Sequence, residues 1–120
     1  MTINELKIIL DKVYIKETAH KNWRAEWNKE NPTYGQCVPT ALLVQHYFGG
    51  QIYKHDIEDH YFNIVDGKVV DLTKEQFDYE IDYSKSKPKQ PNLKTSETLE
   101  RYQILKNRVE NYKKGDNNIW

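Results

Sequence analysis

Three observations predict an α+β fold in a single domain over residues 1–120. Apolar residues recur at helical spacing near both ends of the chain. A nearly continuous apolar run follows Cys37 and Pro39 in the middle. An Asp66-Gly67 dipeptide then joins two β-prone runs, the strongest two-residue hairpin signal. Together they give a central Cys-bearing helix packed on a small antiparallel sheet, with flanking N- and C-terminal helices.

The elements follow in order. Thr2 with Glu5 is a capping-box pattern, and Leu6, Ile9, Leu10 and Val13 fall on one face, so a helix is expected from about residue 3 to 14. Trp23 and Trp27, four apart, predict a second short helix. Asn31-Pro32-Thr33-Tyr34-Gly35 is a turn or loop, because proline keeps Asn31 out of the helical region and glycine permits positive φ. Proline is tolerated only in a first helical turn, so Pro39 fixes Cys37 at the entrance of a helix running to Phe48. Gly49-Gly50 ends that helix. Gln51 to Lys54, His60 to Val65 and Lys68 to Leu72 are expected strands, followed by a helical turn capped by Thr73. Residues 84–95 are a polar, proline-punctuated connector. Ser96 is the expected cap of a last helix whose stripe is Leu99, Tyr102, Leu105, Val109 and Tyr112. After Lys113 the tail is expected to fray, with Ile119 and Trp120 available to dock.

Composition narrows the function classes. Eighteen basic and 18 acidic residues cancel, which removes the bulk electrostatic case for nucleic acid or an anionic membrane surface. Mean hydropathy is −0.92, and the N-terminal apolar run is broken by Glu5, Lys7 and Asp11, so it reads as neither signal peptide nor membrane span. The single cysteine excludes an internal disulfide and fits a reducing compartment, so a cytoplasmic location is expected. No glycine-rich phosphate loop or dinucleotide fingerprint is present. Cys37, His46, His55 and His60 lack any recognised zinc spacing, so no metal or other cofactor is expected.

The candidate chemistry rests on Cys37, His60 and Asp71. At a helix entrance, free backbone N–H groups and the helix dipole favour a thiolate. Across a two-residue turn at Asp66-Gly67, position 60 pairs near position 73. Asp71 shares the pleat parity of 73, so it is a diagonal neighbour of His60, roughly 7 Å away at Cβ and within side-chain reach. Asn63 has the opposite parity. An imidazole could then take the thiol proton while the carboxylate orients it. The backbone N–H of Cys37, with Gln36 or Asn31, is the candidate oxyanion and substrate-binding set. Gln45, about 12 Å along the helix, is too far. Plainer readings stand beside these: Cys37 as a small buried hydrophobe, His60 as a hydrogen-bonded strand residue, Asp71 as a cap for the Thr73 turn.

Asn31 to Gly50, with Pro32, Gly35-Gln36-Cys37, Thr40-Ala41-Leu42 and Val44-Gln45, resembles the YunG family of small bacterial proteins. His60-Tyr61-Phe62-Asn63, then Val70-Asp71-Leu72-Thr73 and Gln76-Phe77, match its second block; Arg101-Tyr102, Leu105 and Arg108-Val109 match a third, and Trp23 fits upstream. The likeness spans roughly residues 17 to 110. Its Cys-His-Asp order resembles papain-like and transglutaminase-like arrangements and implies a papain-like, NlpC/P60-like core. Pro39 and the Lys- and Tyr-rich stretch 78–94 depart from the pattern, so no substrate loop transfers by analogy. Two functional readings follow. One is a cysteine-dependent hydrolase or acyl/amide transferase working through a thioester on a small-molecule or peptide substrate. The other is a non-catalytic binding module that uses the same aromatic-lined cleft.

Overall fold

In the first turn of the chain the Glu5 amide donates to the Thr2 hydroxyl at 3.1 Å, and the Thr2 amide donates to the Glu5 carboxylate at 3.3 Å. This reciprocal cap satisfies two orphan donors and starts α1 (Ile3–Val13), whose Leu6, Ile9, Leu10 and Val13 are buried. The structure, a computed structural model, describes residues 1–115. α1 is followed by a 3₁₀ turn (Lys16–Thr18), α2 (Cys37–Phe48), strands β1 (Gln51–His55), β2 (Tyr61–Val65) and β3 (Lys68–Val70), a second 3₁₀ turn (Lys74–Gln76), β4 (Ser86–Pro88) and α3 (Ser96–Lys113).

The four strands form one antiparallel sheet in the order β3-β2-β1-β4. Asp66 and Gly67 both have positive φ, 52° and 76°, as the tight turn between β2 and β3 requires. Asn63 faces Val70, Ile64 faces Val69 and Val65 faces Lys68. Carried outward, this register sets His60 opposite Thr73, with Asp71 two residues nearer the turn.

α2 rests on the sheet through Asn63, whose buried side chain donates to the Ala41 carbonyl at 2.9 Å. Leu43 and Val44 of α2 meet Leu6, Leu10 and Val13 of α1, Leu105 and Val109 of α3, and Val65 of β2 in the main core. A smaller cluster joins Ala41 and Leu42 to Ile52 of β1.

Several expectations need correction. Residues 21–26 form turns rather than a helix, held by bonds such as Trp23 to His20 and Glu26 to Trp23. The segment is mostly exposed, so it has no buried stripe to drive a helix of several turns. Its two tryptophans part company. Trp23 packs edge-on to Tyr34, whereas the Trp27 indole donates to the Pro32 carbonyl at 2.9 Å. The connector contains β4, which pairs with β1 through Tyr53–Pro88, Lys54–Lys87 and His55–Ser86. An edge strand needs no apolar alternation on an exposed face and accepts a proline, so it left no sequence signal. β3 stops at Val70, two residues early. Ser96 is the first helical residue of α3 rather than its cap; Thr95 holds that position, without a side-chain bond. The buried line of α3 is Arg101, Leu105 and Val109, while Leu99 lies exposed. Thr73 precedes its turn but does not cap it with its side chain. Ile119 and Trp120 lie outside the described residues. Among the described residues no helix is long and apolar enough to cross a membrane.

Candidate active site

Gly35 sets up the entrance to α2. Its φ is +73°, and a Cβ there would meet the His20 amide nitrogen at 3.2 Å and Trp23 Cβ at 3.3 Å. The chain therefore passes close to the 20–23 turns, and the His20 amide donates to the Gly35 carbonyl at 2.9 Å. Cys37, half-buried, is the first residue of α2. The first intrahelical acceptor, the Gln36 carbonyl, is taken by the Thr40 amide at 3.2 Å. Pro39 has no N–H, so the amides of Cys37 and Val38 are the orphan donors of this helix end.

His60 stands just before β2, and its carbonyl accepts from the His55 amide at 3.0 Å. Its side chain is fully buried, and Nε2 meets Asp71 Oδ2 at 2.7 Å, with the Asp71 side chain only 2% exposed. Asp71 is held by further donors. The Tyr83 hydroxyl reaches Oδ2 at 2.8 Å, and the Thr73 amide and hydroxyl reach Oδ1 at 3.3 and 3.4 Å. Asp71 thus orients His60 and also braces the start of the following turn.

Cys37 adjoins the same ring, close enough for its sulfur to favour the charged form of the imidazole. With Nε2 engaged by Asp71, the nitrogen left for the thiol is Nδ1. Burial pulls the His60 pKa down, but hydrogen bonds to Asp71 and Cys37 and the charges of both outweigh it, raising the pKa to about 9. The Gln76 amide lies 3.5 Å from Nδ1, anchored by the Thr73 hydroxyl at 3.1 Å and by the Gly35 amide on its oxygen at 3.3 Å. The ring is further walled by Phe77, edge-on at 4.8 Å between centroids.

The structure therefore brings Cys37, His60 and Asp71 together. It does not bring Gln36 or Asn31 to the thiol. Gln36 is fully buried, and its amide nitrogen is committed to the Ile15 carbonyl at 3.0 Å. Asn31 belongs to the Asn28–Asn31 bridge and does not line the cavity at Cys37. Gln76, Tyr83 and Arg101 take part instead. In the sequence Gln76 and Arg101 stand out only through the family-like blocks and, for Gln76, the expected turn after Thr73; Tyr83 falls in the Lys- and Tyr-rich stretch 78–94, which carries no signal of a site. His55, also buried, is a bracing residue: its Nδ1 accepts from the Ile57 and Glu58 amides, and Nε2 donates to the Asp82 carbonyl.

A cavity of about 40 Å³ opens beside Cys37 between Trp23, Tyr61, Asp59, Gln76 and Arg101. It shares Trp23, Asp59 and Gln76 with a wider hollow of about 310 Å³ that continues to Tyr34 and Phe77. A larger hollow of about 480 Å³ lies elsewhere, and one of about 580 Å³ lies behind the site against Asp71 and Tyr83; neither is lined by Cys37 or His60. Size alone would favour those two; the small cavity matters because it holds the thiol.

The YunG protein family model matches residues 2–114. The uncharacterized protein YunG of Bacillus subtilis (strain 168) is 36% identical over 99 residues, covering 79% of this chain and 84% of the relative. No solved structure matches. The matched family model covers nearly all of the described chain, including every residue of the Cys37 cleft: the chain belongs to the YunG family.

Proposed function

We propose that this protein is a cysteine-dependent hydrolase or acyl/amide transferase on a papain-like core. The observation that carries this reading is the buried His60–Asp71 pair, at 2.7 Å, facing the lone cysteine at a helix entrance. In the proposed cycle the Cys37 sulfur attacks a substrate carbonyl carbon, and its proton resides on His60. The oxyanion forms near the unpaired amides of Cys37 and Val38, with Gln76 on the opposite wall. His60 protonates the leaving amine, the C–N bond breaks, and a thioester remains on Cys37. Water or an acceptor amine then attacks with His60 taking its proton, releasing an acid or a new amide and restoring the thiol. Asp71 keeps the ring oriented throughout. Hydrolysis, deamidation and transamidation share this intermediate. The substrate is a small molecule or peptide, and a reduced thiol suits the cytoplasm.

The second reading is a non-catalytic binding module, favoured by the small volume beside the thiol, about 40 Å³. Iodoacetamide alkylation of Cys37, followed from about pH 4 to pH 10, separates the two. Under the catalytic reading, the folded protein at neutral pH reacts at least ~10-fold faster than the urea-unfolded chain, and His60→Ala removes that excess. A thiol that is inert, or indifferent to His60, assigns the cleft to binding. Once a substrate is in hand, Cys37→Ala should abolish turnover while the chain still folds.

A further inference from the structure

Arg101 is the odd residue in the cleft wall. It occupies the buried line of α3 above Leu105 and Val109, where an aliphatic side chain would be ordinary, and is only 3% exposed. Its Nε and Nη1 are buried without a hydrogen-bond partner. The Glu97 carboxylate stands 3.5 Å from Nε, without forming a hydrogen bond to it. That carboxylate is a third exposed and is shared with Lys21, whose amide bonds it at 3.3 Å and whose ammonium lies at 3.7 Å. A guanidinium carries five donors in a planar fork, and burying it with so few used is costly unless something else engages them. Arg101 lines the same cavity as Cys37, and the charges of the two groups interact.

We propose that Arg101 anchors a carboxylate of the substrate beside Cys37, so that the cleft selects acyl groups carrying an anion close to the reactive carbonyl. This inference rests on the reading of Cys37 as a nucleophile and names its substrate class. The other polar groups facing the cavity agree with this placement. His20 accepts from the Asn22 amide at 3.1 Å, and burial and the Arg101 charge push its pKa below the usual imidazole range, so the neutral ring is the favoured form beside the guanidinium. Asp59 supplies the opposite sign near Tyr61 and His20, which confines a substrate anion to the Arg101 side. One guanidinium in a small cavity suits a planar monoanion, which it can grip in bidentate fashion, better than a phosphate dianion.

The test uses two alkylating probes with the same leaving group, neutral iodoacetamide and anionic iodoacetate, on the full chain at low ionic strength. The expected iodoacetate-to-iodoacetamide rate ratio at Cys37 is ~10-fold above that of the urea-unfolded chain. Arg101→Gln should remove most of that excess, and only the part that stays belongs to the general attraction of the His60 imidazolium. If Arg101→Gln fails to fold, the wild type still decides: acetate should slow iodoacetamide, whereas acetamide and inorganic phosphate should not. A ratio equal to that of the unfolded chain, an excess that mostly survives Arg101→Gln, or protection by phosphate in place of acetate overturns the inference. The nucleophile reading fails differently. In that case iodoacetamide itself reacts no faster with the folded chain than with the unfolded one.

Discussion

Cut off from solvent, an imidazole normally loses its proton, because charge is poorly solvated in the interior. At His60 the Asp71 carboxylate and the Cys37 sulfur reverse that tendency, and the pKa of about 9 keeps the ring an imidazolium at neutral pH. The sign of the linked stability follows. A folded pKa raised above the unfolded value of about 6.5 contributes stability that is complete below about pH 6.5 and is lost as pH rises through about 9. The amount is on the order of 3 kcal/mol. Urea unfolding of wild type and His60→Gln should show the wild-type advantage shrinking steadily between those two pH values. An advantage that stays level, or grows with pH, would contradict the charged pair. The diagonal relation of His60 and Asp71 was legible in the sequence because strand parity and a two-residue turn leave little freedom. Tyr83 and Gln76, which complete the arrangement, were not: Tyr83 arrives from irregular chain, and Gln76 from a single 3₁₀ turn too short to carry a periodicity that would aim it.

The same contrast between periodic and non-periodic information runs through the helices. α1 and α2 begin and end close to where their caps and breakers place them, since a capping box, a first-turn proline and a diglycine act locally. α3 shows the limit of reading periodicity from hydrophobicity alone. Positions 99, 102, 105, 109 and 112 make an apolar stripe, yet the buried line also passes through Arg101 and omits Leu99. A charged residue is left out of any hydrophobic template, so the buried Arg101 displaces the apparent face. The helix gives a direct check. Leu105→Ala removes a fully buried side chain from the junction of α1, α2 and α3 and should cost about 3 kcal/mol. Leu99→Ala, at an exposed position, should stay within about 0.5 kcal/mol. Equal losses at the two sites in urea titrations would mean that α3 presents a different face to the core.

At the scale of the molecule, the cleft is assembled from stretches far apart in sequence: the 20–23 turns, the start of α2, the approach to β2, the turn after β3, and α3. None of these stretches carries the site alone, so the heightened reactivity expected of Cys37 belongs to the whole fold. Alkylation rate and tryptophan fluorescence should therefore lose their native values at the same urea concentration, as a cooperative domain of this size requires. Reactivity vanishing first would identify the cleft as a separately opening unit. The α+β class and the meeting of His60 with Asp71 could be read before the structure because local rules govern them; the cavity wall could not, because only tertiary packing sets Arg101 against Cys37. The sheet carries one more consequence. Its two margins, β3 and β4, are each three residues long, and they carry Lys68, Lys87 and Pro88. A foreign strand approaching either margin meets few free peptide groups, a positive charge and, at β4, a missing donor. The sheet is thus a poor template for growth into fibrils, and concentrated solutions of the folded chain are shielded from that route of self-assembly.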